Sequence, residues 1–243
     1  MTPAAARRRI IVALDVDTLR EARQLVRALA GDVSCFKVGQ QLFVTAGPDA
    51  VRMVRRAGAE VFLDLKFHDI PNTVARASVE AARLGARIVD VHASGGLEMM
   101  EHARRETAHV CRREGLRRPL LIAVTVLTSL DDGDLRRIGV RDAAAQQVMR
   151  LTRLALRAGL DGVVASPLEA ARIRRAAGAR FRIVTPGVRP GGAAGGDQKR
   201  VLAPGAAVRA GADYLVVGRP VRDASDPGAV VRAMAHEMAA VTR

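Results

Sequence analysis

The densest run of reactive side chains is Asp64-Leu65-Lys66-Phe67-His68-Asp69-Ile70-Pro71-Asn72-Thr73. It closes an apolar stretch, and side chains alternate in direction along a strand, so Asp64 and Lys66 fall on one face. An ammonium held among carboxylates is stabilised in its charged form. Lys66 is therefore read as a proton donor. A Schiff-base lysine needs the reverse, a pKa lowered by desolvation or a neighbouring cation, which disfavours an aldolase of that type. Asp15 and Lys37 add a second carboxylate and a second ammonium. Such an array can orient a polyhydroxylated substrate and oppose a substrate anion. A plainer reading stands beside it: a salt bridge that orders a loop, with Asp15 capping a helix that starts near Thr18 and Lys37 snorkelling from a strand rim.

Lysine is scarce. Of 39 Lys and Arg residues, only Lys37, Lys66 and Lys199 are lysines. A compact ammonium that can release its proton does not interchange with a guanidinium, so these positions are candidates for chemistry. Two other segments suit an oxyanion: Pro186-Gly187-Val188-Arg189 and Val217-Gly218-Arg219. Glycine lets backbone N–H groups approach a phosphate, and arginine supplies bidentate charge. Between them runs a Gly-rich stretch, about 188–198, which ends at Gln198 and reads as a lid over the phosphate or as a plain surface loop. Asp15, Asp64, Asp69, Asp90 and His92 could contribute to a hard-cation site, with Asp90 turned from His92's side or set deeper. Two lysines in that pocket would repel a divalent ion, so no metal is expected. His68, His102, His109 and His236 have no partners at ligand spacing and read as surface or packing residues.

The elements that must position these groups repeat eight times. Apolar, β-branched runs lie at Ile10–Val16, Ser34–Gly39, Glu60–Lys66, Arg87–His92, Leu120–Leu127, Gly162–Ala165, Phe181–Thr185 and Tyr214–Val217. They are nearly continuous in apolar residues, as strands buried on both faces of a parallel sheet are. Segments of helical period fall near 18–30, 48–57, 71–84, 97–113, 141–158, 168–177, 199–210 and 226–241. Gly-Ala or Gly-Leu steps before several runs are helix C-caps, as at Gly58-Ala59 and Gly211-Ala212. No linker divides the 243 residues, so the spacing predicts one α/β domain over 1–243, a (β/α)₈ TIM barrel. A barrel does its chemistry at the carboxyl ends of its strands. That rule selects Asp15, Lys37, Asp64, Lys66, His92, Thr125 to Thr128, Ser166, Thr185 to Arg189, Gly218 and Arg219.

Composition excludes other classes. With 49% hydrophobic residues, global disorder is ruled out. No apolar run approaches a membrane span and the N-terminus has no signal-peptide pattern, so a cytoplasmic protein is expected. Cys35 and Cys111 form neither a CxxC pair nor a zinc-finger spacing and read as reduced thiols. A net charge of +14 would attract any polyanion, yet the arginines are scattered in pairs and aromatics are 2%. No specific nucleic-acid binding is expected.

The order of motifs resembles the orotidine 5′-phosphate decarboxylase family over nearly the whole chain. It runs through Ala13-Leu14-Asp15, Phe36-Lys37-Val38-Gly39, Asp64 to Pro71, Val91-His92-Ala93, Val126-Leu127-Thr128-Ser129, Thr185 to Arg189 and Val217-Gly218-Arg219. The resemblance implies cofactor-free decarboxylation of orotidine 5′-monophosphate to UMP, the last step of pyrimidine nucleotide synthesis. It implies a catalytic array of Lys37, Asp64, Lys66 and Asp69 of the partner subunit in a homodimer. Asp15, Lys37 and Asp64 would bind substrate, the first two at the ribose; Thr128 would meet the pyrimidine, and Gln198 would bridge base and phosphate. Arg189, Gly218 and Arg219 would take the phosphate, and Thr73 would reach the ligand from the neighbouring subunit. The lid is richer in Gly and Ala than the family pattern. The runner-up is a magnesium-dependent sugar-phosphate decarboxylase or hexulose-phosphate synthase of the same barrel type, which is similar at the Asp-x-Lys-x-x-Asp core. A basic nucleic-acid-binding barrel and an inactive scaffold are the alternatives outside that chemistry.

Overall fold

A computed structural model of the chain describes residues 1–189 and 202–241. Eight parallel strands close into a barrel in chain order: β1 (Ile10–Ala13), β2 (Cys35–Gly39), β3 (Glu60–Phe67), β4 (Ile88–His92), β5 (Leu120–Val124), β6 (Gly162–Val164), β7 (Arg182–Thr185) and β8 (Tyr214–Val217). β8 returns to β1 through the pairs Ile10 with Leu215 and Val12 with Val217. The apolar runs form this sheet because both faces are buried. Ile11, Ala13, Cys35, Phe62, Ile88, Ile122, Val184 and Val216 fill the barrel interior. Their strand neighbours, including Ile10, Val12, Phe36, Leu63, Val89 and Val91, face the helices. Interior packing of this kind makes the barrel a core, with chemistry left to the strands' carboxyl ends.

The helices are α1 (Pro3–Arg7), α2 (Leu19–Ala28), α3 (Gln40–Ala46), α4 (Pro48–Arg56), α5 (Pro71–Arg83), α6 (Leu97–Glu114), α7 (Asp132–Arg137), α8 (Ala144–Arg157), α9 (Ala170–Ala177), α10 (Pro204–Arg209), α11 (Arg219–Arg222) and α12 (Pro227–Ala240). Among them α1, α3, α7 and α11 have no counterpart in the sequence reading. They have seven residues or fewer, too short to display a helical period. Local caps hold two of them: the Thr2 hydroxyl accepts the Ala5 N–H, and Asp131 with Asp134 forms a capping box. The remaining helices match the expected segments, with ends shifted by a few residues; α10 begins at Pro204, and 199–201 of the expected 199–210 lie outside the described residues. No helix of the described residues is long and apolar enough to cross a membrane.

Two local features decide what reaches the mouth. The Thr18 hydroxyl accepts the Glu21 N–H and caps α2, which leaves the Asp15 carboxylate for other partners. Val188 and Leu202 are bridged, and the Arg189 N–H donates to the Leu202 carbonyl at 3.0 Å, so the chain at the start of the expected lid lies beside the chain that follows it. Its interior from Pro190 through Gln198 falls outside the described residues.

Close strand approach sets one further requirement. A Cβ on Gly162 would stand 2.2 Å from the Arg182 carbonyl oxygen, its partner in β7. That contact is with backbone and cannot relax by rotating a side chain. Gly162→Ala is expected to destabilise the barrel by about 1–3 kcal/mol, the usual range for overpacking, seen as a lower urea midpoint with unchanged slope. An unchanged midpoint would show that β6 and β7 are freer to separate than this packing implies.

Candidate active site

The site is built around an irregularity in β3. Leu63 pairs with Val89 of β4, but the next pair is Phe67 with Val91, so β3 spends two more residues than β4 on that step. Asp64, Leu65 and Lys66 form the resulting bulge. Lys66 sits at φ 53°, and among the described residues it is the non-glycine with positive φ. A left-handed residue with a Cβ costs about 1–2 kcal/mol, and strain of this sort persists where the surroundings hold it and clusters at functional sites. The Lys66 N–H, removed from the ladder, donates to Asp90 Oδ1 at 2.9 Å.

Four charged side chains form a continuous chain across the mouth. Lys37 Nζ donates to Asp15 Oδ1 at 2.9 Å and lies 3.2 Å from Asp64 Oδ2; Lys66 Nζ pairs with Asp64 Oδ1. Gly39 follows from this geometry, because a Cβ there would come within 2.8 Å of Lys37 Nζ and 3.3 Å of Asp15 Oδ1. Burial works against the Lys37 charge, but the Asp64 and Asp15 carboxylates outweigh it and raise its pKa above the ordinary lysine value. Burial would likewise raise Asp64; Lys37, a hydrogen bond with Asp90 and Lys66 together pull it down to about 2. The array is therefore ionised at neutral pH at both Lys37 and Asp64.

The cavity above it holds about 420 Å³. Asp15, Lys37, Asp64 and Lys66 line one side, and Thr128, Arg189, Gly218 and Arg219 line the rest together with an apolar wall that includes Val124, Val126 and Val164. Eight of the expected site residues thus converge from six strand ends. Asp69 and Thr73 do not join them in the single chain. Both are exposed at the start of α5, where Asp69 Oδ1 accepts the Ile70 N–H at 2.6 Å. Gln198 lies outside the described residues.

Other strand-end residues prove structural. Thr125 Oγ1 donates to the Val164 carbonyl and Ser166 Oγ accepts the Leu168 N–H. His68 is an exposed packing residue, its ring stacked on His92 at 5.3 Å between centroids. Burial, then His68 and Lys66, push the His92 pKa down. The sequence reading missed Arg222, which lines the cavity and donates from Nη1 to the Asp15 carbonyl at 2.8 Å. Its position three residues past Arg219, on a helix too short to read, hid it.

Among the described residues, no group of three His, Cys, Asp or Glu side chains could hold a metal ion. Asp90 is set deeper than His92, fully buried in the barrel interior. Cys35 is also interior, and burial, with Glu60, pushes its thiol up to about 12. A wider cleft of about 1010 Å³ opens at the opposite end of the barrel between α1, α2 and α4. Its lining runs along α2 and α4, and its charged side chains are arginines with Asp32 and Asp49, Arg7 pairing with Asp32.

A family model described as orotidine 5′-phosphate decarboxylase / HUMPS family matches residues 8–234. The chain belongs to this family. The orotidine 5′-phosphate decarboxylase of Syntrophotalea carbinolica is 52% identical over 235 residues, 97% of this chain and 96% of that protein. That of Pelobacter propionicus is 53% identical over 236 residues, 97% of each chain. Among solved structures, the orotidine 5′-phosphate decarboxylase from Lactobacillus acidophilus superposes with a TM-score of 0.83 at 38% identity, covering 95% of this chain and 99% of that one. Membership of the orotidine 5′-phosphate decarboxylase / HUMPS family thus rests on sequence over nearly the full length and on the same barrel.

Replacing Lys37 by methionine keeps the stem and removes the charge between Asp15 and Asp64. The depressed Asp64 pKa contributes stability that is present above the unfolded value near 4 and lost as pH falls toward 2. In Lys37→Met the Asp64 pKa is expected to rise toward the ordinary carboxylate range, and stability at neutral pH to fall by about 2 kcal/mol. Carboxyl carbon NMR titration and urea unfolding read the two effects. An Asp64 that still titrates near 2 would remove Lys37 from this account.

Proposed function

We propose that this chain decarboxylates orotidine 5′-monophosphate to UMP, and that its own charged side chains supply the chemistry. The observation that carries the reading is the Asp15–Lys37–Asp64–Lys66 chain at the mouth of the barrel. It is supported by the family membership and by relatives named orotidine 5′-phosphate decarboxylase at about half identity.

The substrate's phosphate binds at Arg189, Gly218 and Arg219, with Gln198 reaching base and phosphate from the lid. Asp15 and Lys37 hold ribose hydroxyls, and Thr128 meets the pyrimidine beside the apolar wall. The C6 carboxylate then faces Asp64. The bond from C6 to the carboxyl carbon breaks, CO₂ leaves, and the electron pair stays on C6 in a vinyl orbital with no adjoining electron sink. Stabilisation must come from a cation already in place, and Lys66 supplies it. A proton passes from Lys66 Nζ to C6, and solvent returns one to the lysine. Asp64, held ionised, disfavours the ground-state carboxylate. Because the phosphate is remote from C6, its binding energy serves lid closure and the chemical step together.

Asp69 and Thr73 complete the site from a partner subunit in a homodimer. Their exposure at the mouth's rim, away from the cavity of their own chain, is what supports this. The single domain spans 1–243 and works in the cytoplasm, which suits the two free, buried thiols. A magnesium-dependent sugar-phosphate enzyme on this barrel would place a divalent ion among Asp15 and Asp64, where Lys37 Nζ sits. The geometry favours the decarboxylase.

The ultraviolet change as orotidine 5′-monophosphate becomes UMP tests the reaction, with EDTA in parallel. Turnover is expected and the chelator is expected to leave it unchanged; loss with EDTA would favour the magnesium enzyme. Lys66→Ala is expected to keep the fold and lose nearly all turnover, and more than a few per cent of the normal rate would overturn Lys66's role. Mixing Lys66→Ala with Asp69→Ala subunits tests the shared site. Heterodimers carry one intact site, so up to about a quarter of normal activity should return on random exchange, whereas sites complete within one subunit would return none.

A further inference from the structure

Among the described residues, Asp90 is the carboxyl inside the barrel that the proposed reaction does not use. It is fully buried, on β4 opposite the bulge that carries Asp64 and Lys66. We propose that Asp90 is a positioning residue for the proton donor: by accepting the Lys66 N–H it holds Lys66 in its left-handed turn, and so fixes where Nζ stands against Asp64 and the reacting carbon. The inference deepens the decarboxylase reading and rests on it.

Three observations carry it. A register shift of two residues takes Lys66 out of the β3–β4 ladder, and its N–H then has Asp90 Oδ1, at 2.9 Å, as its acceptor. The turn at Lys66 is strained, with φ 53°, so it needs a partner that holds it. The second Asp90 oxygen, Oδ2, is buried with no donor facing it. The Asp64 carboxyl lies within hydrogen-bonding reach of the Asp90 carboxyl, and burial together with the Asp64 charge raises the Asp90 pKa well above the usual range. A protonated Asp90 resolves the unmatched oxygen: one oxygen accepts from Lys66 and the hydroxyl donates to Asp64. Asp90 then orients both members of the Asp64–Lys66 pair without touching substrate.

A neutral acid with this bonding pattern has a close mimic. Asparagine offers a carbonyl to the Lys66 N–H and an amide N–H to Asp64, whereas valine fills similar space and offers neither. Asp90→Asn is expected to keep kcat and KM within about threefold of the parent protein. Asp90→Val is expected to lower kcat by about 30-fold or more with KM within about threefold, since phosphate and ribose contacts are untouched and a misplacement near 1 Å can cost about a hundredfold. Amide hydrogen exchange at Lys66 should stay slow in the asparagine variant and become fast in the valine variant. Asp90→Ala serves if the valine variant does not fold.

The proposal is overturned if a truncated variant keeps kcat within about threefold, if asparagine is as slow as valine, or if kcat loss is matched by a rise in KM. A folded asparagine variant beside two unfolded truncations also overturns it, because the need would then be the barrel's and not the lysine's. Should the parent protein itself leave orotidine 5′-monophosphate unchanged, the decarboxylase reading fails first. The exchange rate at the Lys66 amide still decides whether Asp90 holds that turn.

Discussion

Asp64 is a buried carboxylate gripped by two ammonium groups, and most of the mouth is arranged around keeping it ionised. Removing a carboxylate from water is expensive, and the attraction of its partners compensates only when the geometry is close. Here Lys37 and Lys66 approach different oxygens of the same group, and Asp15 holds Lys37 from the other side. The signs on pH follow. Asp64 binds its proton less tightly in the fold than out of it, so its contribution is complete above the unfolded carboxylate range and fades as pH falls toward about 2. Asp90 works the other way: its raised pKa favours the folded state at low pH, and that contribution fades as pH rises through its folded value. Two neighbouring carboxyls thus have their pKa values pushed in opposite directions, which is how paired acids divide roles in one site.

Strain and packing are traded at the same place. The bulge in β3 removes ladder bonds, places a non-glycine in the left-handed region and faces a buried Asp90 oxygen that has no hydrogen-bond partner. An idealised β3 would be more stable and would turn Lys66 elsewhere. The surrounding layers make the irregularity tolerable, since Phe62 and Ile88 fill the interior just below it and Leu63, Val89 and Val91 anchor the outer face. Gly39 belongs to the same constraint, its missing side chain being the space Lys37 Nζ occupies.

The eight strands were legible because a strand covered on both faces must be apolar throughout, and Ile10–Ala13 or Leu120–Val124 has no other reading at that length. Strand ends then pointed to Asp15, Lys37, Asp64, Lys66, Arg189 and Arg219 with no motif knowledge, since the pleat and the barrel rule act together. What stayed hidden was geometry that breaks those periods. Strict alternation puts Asp64 and Lys66 on one face but contains no bulge, so the turn at Lys66 and its acceptor Asp90 were not foreseen. Asp90 did leave a trace, a charge inside Ile88-Val89-Asp90-Val91, where an unpaired carboxylate would not be stable. Arg222 left none, because a four-residue helix has no period to recognise. Asp69 and Thr73 mark another limit: both are exposed at the start of α5, and nothing in that position sets them apart from other loop residues of a single chain.

The excess positive charge has a narrower role than its size implies. At physiological ionic strength the Debye length is about 8 Å, so arginines on the outer helices and in the cleft at the far end of the barrel are largely screened from a nucleotide at the mouth. The mouth itself pairs off its own charge, with Asp15 and Asp64 against Lys37 and Lys66. Arg189, Arg219 and Arg222 line the same cavity, Arg222 pairing with Asp223 and donating to the Asp15 carbonyl. In the proposed reaction that division of charge is what would orient a phosphorylated acid, its phosphate toward the arginines and its carboxylate toward Asp64.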